Sequence, residues 1–207
     1  MILGFSHLTF GTRNFDQAMR NFQSMGFVPT SIYRSVRSAP AKWPLMTQPA
    51  QKHDLALLKR SLTVEIVSHD TGSVDRPPVL DFDSTAGDIT LRVQDARREL
   101  DFLEKVLPCT RAGDRIAIHG AFPTWSARLR LVEDISGPHS QPLDIEGYSS
   151  LAFYSNNIEE DVRCFVELGA GSATEEFFVE LNGRRIGVAM LRSPGGVILE
   201  LLRINRQ

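Results

Sequence analysis

Three side chains far apart in the 207-residue chain are of the types that acid–base or metal chemistry uses: His7, Glu65 and Glu200. Each lies in a run that alternates as a β-strand does, with successive side chains on opposite faces. In Gly4–Phe10, Leu8 and Phe10 form one face, which leaves His7 on the other with Phe5 and Thr9. In Leu62–His69, Val64 and Ile66 form one face, and Glu65 shares the other with Thr63, Val67 and His69. In Val197–Ile204, Leu199 and Leu201 oppose Glu200. An imidazole with carboxylates is a donor set that suits Fe(II), Mn(II), Co(II), Ni(II) or Zn(II). The plainer alternatives are a hydrogen-bonded histidine and glutamates paired with arginines.

A second candidate lies mid-chain. In Ser126–Glu133, Arg128 and Arg130 share a face with Val132, opposite Leu129 and Leu131, just after Trp125. Facing inward, two guanidinium groups would grip a carboxylate or phosphate; facing outward, they belong to a solvated edge strand. Arg184 and Arg185 follow Asn182-Gly183, a type I′ hairpin signal, and read as surface. His119 and His139 read as solvent-facing. No Ser-His-Asp order, nucleophile elbow, P-loop or GxGxxG after a strand is present. Cys109 and Cys164 have no CxxC or zinc spacing; Cys164 reads as helical and Cys109 as a helix end.

Composition narrows the partners. Lys and Arg total 23 against 25 Asp and Glu, for a net charge of −2 and a pI near 6.2. This argues against nucleic-acid binding by general electrostatics. No apolar run approaches the ~20 residues that a membrane span needs, so no membrane partner is expected. The opening MILGFSHLTFGTR lacks a basic leader and alternates like a strand, which leads us to expect a cytoplasmic protein.

The elements that must position these residues come from a duplication. With the sequence shifted by 143 residues, Gly4–Gly26 lies on Gly147–Gly169 without a gap, and eight of 23 positions are identical. Each copy reads as a strand followed by a capped helix. Asn14 and Gln17, or Asn157 and Glu160, form the capping box. Phe15, Met19 and Phe22, or Ile158, Val162 and Phe165, form the apolar stripe, and Gly26 or Gly169 closes the helix. Three strands follow each helix: Phe27–Ser35, His53–Lys59 and Leu62–His69 in the first copy, Ala173–Glu180, Arg184–Arg192 and Val197–Ile204 in the second. The prediction is therefore an α+β protein of repeated βαβββ units whose curved mixed sheets surround a cavity. The units span residues 1–70 and 147–204, with a degenerate one at 87–134 that is a strand short; 87–204 could also form one two-unit domain. Residues 70–86 and 135–146 read as linkers. Val36–Lys52, with three prolines around Trp43, reads as a long inserted loop of the kind that forms lids.

This duplicated strand–helix–three-strand pattern resembles the vicinal oxygen chelate superfamily of glyoxalases, extradiol dioxygenases, epimerases and bleomycin resistance proteins. The segment Ser193-Pro194-Gly195-Gly196-Val197-Ile198-Leu199-Glu200-Leu201 resembles the closing turn and strand of that superfamily, with Ser193 in place of the usual Asp. The resemblance implies a cavity on the face away from the helices and a divalent metal held by His7, Glu65 and Glu200, with Glu200 or Glu65 moving a proton. The small-molecule substrate contacts expected beside that metal are Phe5 and Thr9, which share His7's face, Ser150, and Arg128 and Arg130 if their face is the concave one. The chain departs from the family where a second histidine is expected: Ser150 stands there, and Thr90 in the middle unit. His69 or His53 could substitute, or a homodimer pairing the first unit with its symmetry mate could complete the set. The implied function is a metal-dependent isomerase or lyase acting on a small carbonyl- or carboxylate-bearing molecule. The alternatives are a metal-free binding protein of bleomycin-resistance type and a metal-free enzyme using the same cavity.

Overall fold

The computed structural model describes residues 1–76, 79–83, 88–120, 126–136, 140–181 and 183–204. Trp125, His139 and the Asn182 half of the predicted hairpin turn lie outside them. The first unit comprises β1 (Ile2–Gly11), α1 (Phe15–Ser24), β2 (Val28–Arg37), β3 (Lys52–Lys59) and β4 (Thr63–His69). A further strand, β5 (Leu80–Asp83), precedes the middle unit of β6 (Asp88–Val93), α2 (Ala96–Val106), β7 (Cys109–Ala112), β8 (Arg115–His119) and β9 (Ser126–Glu133). The third unit comprises β10 (Gly147–Ser155), α3 (Ile158–Glu167), β11 (Phe177–Leu181), β12 (Arg184–Arg192) and β13 (Ile198–Ile204).

All three units share one strand order. The first strand pairs in parallel with the fourth, and the third and second follow, as in β1-β4-β3-β2, β10-β13-β12-β11 and β6-β9-β8-β7. The middle unit is thus complete. Cys109, expected at a helix end, opens the strand that seemed missing, and part of the expected linker forms β5. Both cysteines are free thiols.

Sheet pairing shows which units join. β1 and β10 pair antiparallel, with Leu8 opposite Leu151 and Phe5 opposite Phe153, so the first and third units form one eight-stranded sheet within a single chain. The middle unit forms a separate five-stranded sheet. There β5 pairs antiparallel with β6, occupying the edge that β1 and β10 use for each other.

The helices form where the capping residues place them. Asn14 accepts from the Gln17 amide at 3.0 Å, Asp95 from Arg98 at 2.8 Å and Asn157 from Glu160 at 3.3 Å. Phe15, Met19 and Phe22 of α1 and Ile158 and Phe165 of α3 are buried against the sheets, in one continuous core that also takes Leu100 and Leu103 of α2. The turn Ser193–Gly196 ties the middle unit to the third. The buried Glu99 carboxylate accepts the Gly195 amide at 2.6 Å. A Cβ on Gly195 would stand 2.6 Å from Val93 Cγ1, so this close approach requires glycine. Ser193 caps the same turn by accepting the Val197 amide at 3.1 Å.

The inserted segment is ordered as a strap. It folds into a 3-10 helix, Pro40–Leu45, and is held by residues 141–144. The Leu143 amide donates to the Leu45 carbonyl at 2.7 Å, and Asp144 accepts the Thr47 amide at 2.8 Å, the Gln48 amide at 3.2 Å and the Thr47 hydroxyl.

Candidate metal centre

β1, β4 and β13 bring His7, Glu65 and Glu200 together on the face away from the helices. His7 Nε2 stands 3.6 Å from Glu65 Oε2 and 4.0 Å from Glu200 Oε2. One ligand atom from each residue lies within 4.8 Å of the other two, and among the described residues this is the only group of its kind. The side chains are 8%, 16% and 10% exposed, so the three charges are held largely out of water. Thr9 donates its hydroxyl to Glu65 Oε2 at 3.2 Å, and Ser6 Oγ lies 3.1 Å from His7 Nδ1. When Nδ1–H donates to Ser6, Nε2 presents its lone pair to the carboxylates.

The electrostatics divide the two glutamates. Burial pushes the His7 imidazolium down, but Glu65 and then Glu200 outweigh it and leave its pKa raised. Burial pushes Glu65 up, yet His7 and other cations hold it below its ordinary value. Glu200, raised by burial and then by the charge on Glu65, is pushed up to about 7. One carboxylate thus carries the charge and the other the proton, the separation of roles that acid–base sites use.

The donor set fits a divalent cation. Two donors each about 2.1 Å from one ion stand roughly 3–4 Å apart, and the 3.6 and 4.0 Å separations fall in that range. His7 Nε2 and Glu200 Oε2 are buried without a hydrogen-bond partner, a state that needs compensation. All three ligands come from one chain, so the set needs no second copy to assemble.

The cluster opens on a cavity of about 130 Å³. Thr9, His53, His69 and Lys42 line it with the cluster, among Leu55, Leu57 and Val67 of β3 and β4. Apolar side chains of β11, β12 and β13, including Phe177, Val188 and Met190, also line it. His53 and His69 face each other across β3 and β4, ring centroids 5.7 Å apart, but neither joins the three-residue cluster.

Other expected residues lie elsewhere. Phe5 does not share His7's face. A register shift between Phe5 and His7 interrupts the alternation at Ser6, so Phe5 turns into the core (1% exposed) against Phe153 while Ser6 and His7 both face the cavity. Ser150 lies opposite Thr9 yet is fully buried and does not line the cavity. Arg128 and Arg130 belong to the second sheet, on a central strand flanked by β6 and β8. Leu129 and Leu131 take the helix-covered side, so the arginines point to solvent, where Arg128 pairs with Asp88 at 2.7 Å. The residue that sequence reasoning missed is Lys42, the cation carried in by the strap. Its signal was a lysine between Ala41 and Trp43 in a segment otherwise read only as a loop.

The buried histidines make acid destabilising. Burial, then the charge of Lys42, lowers His53 to about 3 and His69 to about 4, against 6.5 in the unfolded chain. Between pH 6.5 and 4.5 both bind a proton only when unfolded, while Glu200, neutral in the fold up to about 7, loses one on unfolding. His7 is protonated in both states. Glu99, likewise raised by burial, also loses a proton on unfolding and offsets part of the histidines' uptake, so replacing both His53 and His69 by glutamine should make the metal-free protein less sensitive to acidification than wild type. Urea unfolding of EDTA-dialysed wild type and double variant at pH 6.5, 5.5 and 4.5 checks this; equal changes on acidification contradict it.

No protein-family model matches the chain. No curated protein matches it. Among solved structures it is similar to glyoxalase I from Zea mays, at 16% identity over 97% of this chain and 67% of that one, with a TM-score of 0.38. A putative dioxygenase from Bacillus subtilis matches at 15% over 99% and 63%, with a TM-score of 0.42. Methylmalonyl-CoA epimerase from Mycobacterium tuberculosis matches at 12% over 100% and 91%, with a TM-score of 0.46. The chain spans about two thirds of the length of the first two. Among the described residues no helix is long and apolar enough to cross a membrane.

Proposed function

We propose that this chain, which has the paired βαβββ architecture of the vicinal oxygen chelate superfamily, is a divalent-metal-dependent isomerase or lyase of glyoxalase or epimerase type. Its substrate is a small carbonyl- or carboxylate-bearing molecule. The observation that carries this reading is the convergence of His7 Nε2, Glu65 and Glu200 in a buried, under-satisfied cluster at the floor of a cavity. A divalent ion held by His7, Glu65 and Glu200 would supply Lewis acidity to a substrate oxygen. The protein's own residues do the rest. Ser6 orients the His7 ring, and Thr9 holds a Glu65 oxygen in place. Glu200 takes a proton from the carbon next to the carbonyl and returns it. The apolar wall and the strap exclude water from the exchange.

Metal analysis of protein purified without chelator tests the reading. Near one transition-metal ion per chain, lost in His7→Ala, together with metal-dependent deuterium exchange at the acidic carbon of 2-oxo acids, is the expected result. Metal-free protein that binds an aromatic ligand tightly and catalyses no exchange supports the binding-protein reading instead.

A further inference from the structure

The cavity contains a cation for which the proposed chemistry has no use. Lys42 is 7% exposed and lines the cavity from the strap's 3-10 helix, together with His7, Glu65 and Glu200. The strap is anchored on both sides of it, by the Leu45–Leu143 backbone hydrogen bond after it and by the bond from the Ser38 amide to the Gln51 carbonyl before it. Among the described residues no carboxylate oxygen lies within 4.0 Å of its ammonium, and burial lowers its pKa, opposed by Glu200 and then Glu65 from further off. A buried lysine without a close counterion is costly and demands a partner.

The charge count shows what that partner is. On the metal reading, a divalent cation balances the two glutamates and the imidazole is neutral, so the cluster sums to zero. An anion beside Lys42 would hold it protonated there, against the burial that otherwise lowers its pKa. The two buried histidines beside it cannot supply the balance, because an imidazole carries no negative charge. The lining from β11, β12 and β13 cannot do so either: Phe177, Val179, Ile186, Val188, Met190 and Leu202 are all apolar.

We propose that Lys42 is the substrate-anchoring residue of this site, and that the ligand is a monoanion with an apolar tail. Its carboxylate or equivalent oxygens meet Lys42, its reactive oxygen faces the His7–Glu65–Glu200 cluster, and its tail lies along β11 and β12. The inference rests on the metal reading for its charge count, but its test is a binding measurement that stands apart from metal content.

The experiment compares octanoate with 1-octanol, equal in chain length and differing in charge, by calorimetry and thermal shift. Metal content is measured on the same samples. Wild-type protein should bind octanoate at least about 10-fold more tightly than 1-octanol, the scale of a charge-assisted hydrogen bond. Lys42→Met should reduce that preference to within about twofold while keeping its metal and its affinity for 1-octanol, and Lys42→Arg should restore most of it. Equal binding of the two probes by wild type overturns the proposal, whatever the metal content, as does a preference that survives in Lys42→Met. Wild type that lacks metal but still discriminates through Lys42 overturns the metal reading alone.

Discussion

Glu200→Gln should lose divalent-metal affinity by at least about 100-fold, since removing even a residue that merely supports a ligand costs 10–100-fold. The same variant should remain folded. Burial and then the charge of Glu65 raise metal-free Glu200 to about 7, against the opposing pull of His7 and Lys42. Glutamine at this position removes that repulsion and keeps the shape, so the metal-free variant should melt at or above the wild-type temperature at pH 8. The discriminating readout is the metal-induced rise in Tm, present in wild type by mass action on the folded state and absent in Glu200→Gln. A variant that still gains stability from metal would falsify the assignment of Glu200 as a ligand.

Phe153→Ala should cost about 3–5 kcal/mol, the range for deleting a fully buried aromatic ring. Phe153 is inaccessible to solvent and meets Phe5 edge-to-face at 5.7 Å across the β1–β10 seam, where the two repeats join. Its counterpart in the duplication is Phe10, which is only partly buried and packs near the edge of the seam on Phe22 and Tyr148. Phe10→Ala should therefore cost clearly less, although the two positions are equivalent in the repeat. Urea unfolding of both variants at constant m-value measures the difference. Equal losses would mean that the seam is not the centre of the core.

The repeat, the capped helices and the strand alternation were legible because each depends on neighbours close in sequence. Asn14 caps the helix that begins beside it, and Leu8 and Phe10 alternate with His7 whatever lies elsewhere. The facing of His7, Glu65 and Glu200 followed from that alternation alone. The same rule failed at Phe5, where the register shift at Ser6 changes which residues face the cavity. A β-bulge is set by the partner strand β10, which is about 140 residues away in sequence. The rule failed differently for Arg128 and Arg130. Their shared face was read correctly, but which side of the sheet holds the cavity is decided by where the unit packs.

Residue order was thus enough to establish the α+β class, the βαβββ unit and the three candidate ligands, because local periodicity and side-chain chemistry carry that information. Tertiary contact alone settled the rest. It joined the first unit to the third, completed the middle unit with β7 and gave it β5 as an edge partner. It also folded the strap so that Lys42 enters the cavity. Each of those outcomes depends on edge pairing and packing between segments far apart in sequence, where backbone hydrogen bonds carry no side-chain signature and only the assembled core selects one partner over another.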